Sequence, residues 1–292
     1  MHSLSYRIEL FLLLIIQFIF SILPRFITLR IGTFIGRILY MFKAYEKTIY
    51  GNMSYSEYWT EEEIKKLIPG IYRQMGRYIS DFLRISSAVP PYRLHSFDII
   101  EKKQAENRGL IAILAHIGNW EMLANLFGKQ VNELHVIAKP MKNRYVDNWL
   151  TAKRESTGVK TIFTQHALRK MIEALTKKKG IVAILIDQHG GKHGTMIPFL
   201  GKDANTVRTV AGIVQKTNCA VAAAYSIMQE DGSYDIYIEE VPALDMSGLN
   251  DNQAIEMYQK QHNEIISSWI RKYPTHYFGW FHKRFRGIIP YK

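Results

Sequence analysis

The feature that most restricts the fold is a series of short apolar runs, each followed by a polar or helix-like stretch. LIAILAH (110–116), ELHVIAK (133–139), TIFT (161–164), GIVAILID (180–187) and CAVAAAYSIM (219–228) follow one another along the chain. Runs of this length, apolar on both faces, read as strands buried on both sides of a sheet. Amphipathic stretches separate them, one starting near Asn119 and another at ALRKMIEAL (167–175). Strands alternating with helices predict an α/β fold with a mostly parallel central sheet flanked by helices. SYDIYIEEV (233–241) alternates polar with apolar and reads as a more exposed strand. Thr60 followed by Glu61, Glu62 and Glu63 predicts a capped helix over 60–83, and a last helix is expected over about 252–273. Cys219 is the one cysteine, so no internal disulfide forms, and its apolar surroundings predict burial.

The N-terminus has a different character. Residues 10–23 read LFLLLIIQFIFSIL, with Gln17 and Ser21 the only polar side chains, and Pro24-Arg25 follows. As a helix this run is about 21 Å long, and a full membrane span needs about 20 apolar residues. A second apolar stretch, 26–42, carries Arg30 and Arg37. Ser21-Ile22-Leu23 is a poor cleavage site for a signal peptide. A buried core helix would leave the flanking arginines unexplained. A membrane anchor, spanning or interfacial, accounts for both. The expected organisation is therefore an anchor over residues 1–43 and a single α/β domain over 44–292.

The net charge of +12 calls for an acidic partner. Its placement favours a membrane with anionic head groups over nucleic acid. Residues 10–45 contain four bases and no acid, and after Glu264 there are six bases and no acid, in both cases among large apolar side chains. In WFHKRFR (280–286), aromatic rings alternate with Lys283, Arg284 and Arg286, a pattern suited to anionic head groups.

Two segments carry candidate chemistry. In AHIGNWE (115–121), His116 ends an apolar strand, and Gly118-Asn119 turns the chain into a helix with Glu121 in its first turn. Across that turn the two side chains are expected to meet. A neutral imidazole would then take a proton from an attacking hydroxyl, with the carboxylate steering the ring. Backbone N–H groups of the turn are candidate partners for an oxyanion. In LIDQHGGKHGTMIPFLG (185–201), Asp187 and Gln188 again follow a strand. His189 and His193 lack a third ligand beyond Asp187, so no metal site is expected. The chain has no G-x-S-x-G nucleophile elbow, no phosphate-binding P-loop and no dinucleotide fingerprint.

Taken in order, the apolar N-terminal helix, AHIGNWE, AKPMKN (138–143), DQHGG, IPFLG with Thr206 downstream, and IRKYPTHYFGWFHKRFR resemble the bacterial lipid A biosynthesis acyltransferases of the lysophospholipid acyltransferase superfamily. The likeness covers nearly the whole chain. The H-x4-E box alone is modestly specific, and its combination with the D-Q loop and the P-x3-F-x-W-x-H-x-R ending is strong. Phe285 stands where the family often has tryptophan, and Arg208 where it usually has a small or neutral residue. The resemblance implies His116 as general base and Glu121 as its catalytic partner. Asn119, Lys139, Arg144, Arg154, Asp187 and Gln188 become candidates for substrate contact. It further implies an acyl carrier protein thioester as donor, a lipid A precursor or related glycolipid as acceptor, no cofactor, and a site facing the cytoplasm at the bacterial inner membrane. The alternatives are a different lipid acceptor (lysophospholipid or amino-lipid), a lipid esterase, or a non-catalytic protein that binds anionic lipids.

Overall fold

The structure is a computed structural model that describes residues 2–56, 58–84, 89–131, 133–165 and 167–291. Four helices come first: α1 (His2–Ile22), α2 (Arg25–Met41), α3 (Glu46–Ser56) and α4 (Glu61–Leu83). An alternating segment follows: β1 (Tyr92–His95), α5 (Asp98–Ala105), β2 (Leu110–Leu114), α6 (Trp120–Gly128), β3 (Leu134–Ala138), α7 (Arg144–Glu155), β4 (Val159–Phe163), α8 (Ala167–Thr176) and β5 (Ile181–Leu185). A hairpin of β6 (Thr195–Phe199) and β7 (Lys202–Thr206) precedes α9 (Thr209–Thr217), β8 (Ala220–Met228), β9 (Tyr234–Glu240) and α10 (Asp251–Lys272).

Among the described residues, seven strands form one sheet in the order β1-β9-β8-β2-β5-β3-β4. Every neighbouring pair is parallel except β8 with β9. The α/β architecture with a mostly parallel sheet is therefore as the apolar runs predict. β2, β5 and β8 are buried along almost their whole length, because helices cover both faces. Cys219 is buried, as expected.

Two readings change. The segment read as an exposed strand is β9, which lies inside the sheet between β8 and β1, with Tyr234, Ile236 and Ile238 buried. Its alternation reflects Asp235, which a bidentate Arg93 from β1 neutralises at 2.7 and 3.1 Å. The IPFLG stretch, for which the sequence predicts no element, acquires one. It forms the β6–β7 hairpin, turned by Leu200 and Gly201 at φ 51° and 75°. That hairpin is fixed to α10, where Asn263 donates to the Pro198 carbonyl at 2.9 Å and Ser267 Oγ accepts from Leu200 N at 3.0 Å.

The N-terminal helix is longer than the apolar run suggests. α1 has 21 residues, and 4–22 are apolar enough (mean hydropathy 1.8) to cross a membrane by length and composition. Large apolar side chains such as Phe11 and Phe18 are exposed along it. One side is tied to the rest of the chain. Asn143 donates to the Tyr6 carbonyl and to Glu9 at 2.9 and 2.8 Å, and Arg84 donates to the carbonyls of Phe20 and Leu23.

α2 is joined more closely, because glycines let its backbone meet that of α4. A Cβ on Gly76 would stand 1.9 Å from the Gly32 carbonyl oxygen, and one on Gly36 would stand 2.3 Å from that of Tyr72. The partly buried Arg25–Asp81 pair, at 2.9 and 2.6 Å, closes the same contact at its far end. Gly76→Leu is expected to destabilise the protein by at least about 1–3 kcal/mol, the usual range for overpacking. Thermal unfolding in detergent reads this as a lowered midpoint, and an unchanged midpoint would show that α2 is not seated here.

Candidate active site

The parallel strands β2, β5 and β3 are neighbours, so their C-terminal ends lie side by side. Open α/β sheets place ligand sites at that edge. Leu114 of β2 is in register with Leu185 of β5, and Ile186 N extends the pairing to the Leu114 carbonyl at 3.1 Å. His116 and Asp187 are each two residues further on, which brings them together.

Asp187 is buried and grips His116 twice. Its Oδ2 accepts from His116 N at 3.1 Å, and its Oδ1 pairs with ring Nδ1 at 2.8 Å. Burial by itself would push the Asp187 carboxyl upward. Its pairing with His116, through ring and backbone, outweighs burial and holds the carboxyl below its ordinary value. An ionised carboxylate only accepts, so Nδ1 carries a proton, and in the neutral ring Nε2 then keeps its lone pair. Gln188 Nε2 lies 3.3 Å from that nitrogen, and Trp120 packs edge-on against the ring at 4.8 Å.

The turn after His116 depends on Gly118, at φ 65°, where a Cβ would fall 1.5 Å from the Ser226 carbonyl oxygen. Its amides already have acceptors. Gly118 N donates to the His276 carbonyl at 2.9 Å and Asn119 N to Ser226 Oγ at 3.1 Å, while the His116 carbonyl accepts from Phe278 N at 2.6 Å. These N–H groups therefore do not form the anion site expected of them. Asn119 is buried as the N-cap of α6. Its Oδ1 accepts from Met122 N at 3.0 Å and its Nδ2 donates to Tyr234 at 3.2 Å, so it serves the helix start rather than the groove at His116.

The geometry departs from the expected dyad in one respect. Among the described residues, no hydrogen bond joins His116 to Glu121. The Glu121 carboxylate instead holds Arg154, from the last turn of α7, at 3.1 and 2.5 Å. A planar guanidinium fork satisfies both carboxylate oxygens at once, which a single imidazole N–H cannot do. Asp187 meanwhile serves the histidine ring and backbone together.

His116, Trp120, Glu121, Lys139, Arg154 and Gln188 nonetheless line one groove of 610 Å³. Its apolar wall comes from Leu150, Leu168, Met171, Ile184 and Val207. These residues come from separate elements and from the loop at Val207, so sequence alone gave no sign of a groove. Lys139 and Gln188 also border a second cleft of 370 Å³ lined by His189, His282, Lys283, Arg284 and Arg286.

The remaining candidates are placed as follows. Arg144 is exposed and lies over the Tyr145 ring at 5.2 Å, away from both cavities. Arg208 donates to Asn252 at 2.7 Å. His189 accepts from Gly191 N at 3.0 Å through Nδ1. Within the C-terminal basic run, Arg284 is buried and donates to the Asn205 carbonyl and Thr206 Oγ1 at 2.6 and 3.0 Å, while Lys283 and Arg286 stay exposed. His282, 5.6 Å from the His116 ring, joins the site through the W-x-H element of the C-terminal motif.

Comparison with known families finds that residues 1–287 match the bacterial lipid A biosynthesis acyltransferase model. A search of the curated proteins found no match. On this geometry, Asp187→Asn turns an amide N–H toward Nδ1 and reverses the tautomer. It is expected to lower the turnover of acyl transfer roughly 10²–10⁴-fold, with His116→Ala at least as severe. Steady-state rates beside a vesicle-binding assay check this, and a wild-type rate for either variant would remove the pair from the reaction.

Proposed function

The chain belongs to the bacterial lipid A biosynthesis acyltransferase family, and we propose that it transfers a fatty acyl group from an acyl carrier protein thioester to a hydroxyl of a lipid A precursor at the cytoplasmic face of the bacterial inner membrane. The observation that carries this reading is the His116 imidazole, fixed by buried Asp187 where an apolar-walled groove meets a basic cleft.

His116 Nε2 accepts the proton of the lipid hydroxyl as its oxygen attacks the thioester carbon. Gln188, now 3.3 Å away, yields its place to that hydroxyl. Asp187 stabilises the imidazolium that forms. The tetrahedral intermediate collapses with cleavage of the C–S bond, and the proton held on Nε2 leaves with the carrier thiolate. The acyl group moves in one displacement, without an acyl-enzyme. Arg154, held in place by Glu121, supplies positive charge along the groove where the oxyanion develops. The role of Glu121 is thus to fix Arg154, with Asp187 steering the base.

The apolar wall around Leu168 and Met171 suits the incoming chain, and Lys139, Lys283 and Arg286 suit the phosphates of the acceptor. The basic surface also complements an acidic carrier protein and raises its encounter rate, an effect that salt screens. With purified protein, labelled acyl carrier protein thioesters and a panel of lipid acceptors, mass spectrometry is expected to show an acylated phosphoglycolipid. Free fatty acid as the only product would identify an esterase, and acylation confined to lysophospholipids would change the acceptor.

A further inference from the structure

A third cavity has no role in the reaction as described so far. It is a groove of 430 Å³ between the C-terminal end of α2 and α4, walled by Leu39, Met75 and Ile79 and by Phe278 and Phe281 of the C-terminal segment. His282 lines it as well as the basic cleft, and its ring is 5.6 Å from that of His116. Phe278, on the same wall, packs against Trp120 at 5.6 Å. The groove shares no lining residue with the large groove at His116. Tyr45 of its lining is exposed, and Met41 and Phe42, just before it in the chain, are more than three-quarters accessible. Apolar side chains this exposed, bordered by Arg37 and Lys43, fit a lipid surface rather than bulk water.

We propose that this groove holds an acyl chain already carried by the acceptor lipid, so that the acceptor reaches His116 sideways from the bilayer. This rests on the acyltransferase reading. The order of the cavities supports it. The apolar-walled groove, the basic cleft and the α2–α4 groove follow one another, linked through Lys139 and Gln188 on one side and through His282 on the other. That order matches an incoming chain, a phosphorylated head and a resident chain, with the reacting hydroxyl at His116 between the first two. The continuity of the groove with the exposed apolar rim selects a membrane lipid as its occupant over a soluble apolar ligand. Drawing the chain from bilayer to groove keeps it out of water throughout, which avoids a cost of about 0.8 kcal/mol for each exposed methylene.

The test is photolabelling of the full chain in phosphatidylethanolamine–phosphatidylglycerol vesicles, in a His116→Ala background so that turnover does not remove the probe. The probe is a monoacyl phosphatidate, which carries a free hydroxyl, a phosphate and one chain bearing a diazirine. Label is expected on the peptides containing Met75–Ile79 and Phe278–Phe281, and excess unlabelled probe should compete it away. Ile79→Trp, at a partly exposed position, should reduce it roughly tenfold or more. A diacyl phosphatidylcholine with the same diazirine should label these peptides far less. Equal labelling by both probes would mean general lipid contact and overturn the proposal, as would label confined to α1 or to the Leu168–Met171 wall. Because labelling needs no catalysis, the two readings fail separately. Label in the groove without any acyl transfer would leave the groove standing, and transfer without label there would remove the groove alone.

Discussion

The site depends on one buried carboxylate. Asp187 sits at the end of β5 and binds both the backbone and the ring of the residue that ends β2, so it joins two strands and sets the tautomer of His116 in one contact. Because the ring and the carboxylate are fixed by adjacent parallel strands in register, their alignment comes from the sheet rather than from a loop. The ring is therefore held at the groove with Nε2 beside Gln188, and under the proposed mechanism little reorganisation is left for the reaction.

The C-terminal segment completes this arrangement from the other side. The His276 carbonyl and Phe278 N clamp the turn around His116, and Asn52 of α3 holds the carbonyls of Trp280 and His282 at 2.9 and 2.8 Å. His276 Nδ1 shares a hydrogen bond with buried Tyr78 of α4 at 2.6 Å, and burial depresses its pKa to about 4, so this anchor stays neutral. The helices nearest the N-terminus thus reach the His116 turn through one chain of packed contacts: α2 on α4 through glycines, and α4 on that turn through His276.

The apolar runs made the sheet legible, because strands covered on both faces show it in their composition. The strand ends at His116, Asp187 and Lys139 were legible too, since each polar residue closes an apolar run. Which carboxylate serves the histidine was not legible. Glu121 is five residues away and Asp187 seventy-one, and proximity in sequence favoured Glu121, whereas the ring pairs with Asp187. Strand register, which the sequence does not display, reverses that order. Asn119 misled for a related reason, since an N-cap and a ligand contact use the same polar atoms. The β6–β7 hairpin was hidden by its glycines, and β1 by its brevity and by a partner, β9, that lies more than a hundred residues away.

The most direct test of the account is the tautomer of His116, read by ¹⁵N NMR of the histidine-labelled protein in detergent micelles. The protonated nitrogen should be Nδ1 in the parent chain and should remain Nδ1 in Glu121→Gln, while Asp187→Asn should move the proton to Nε2. A ring that ignores Asp187→Asn and changes its tautomer in Glu121→Gln would contradict the arrangement described here and return the steering role to Glu121.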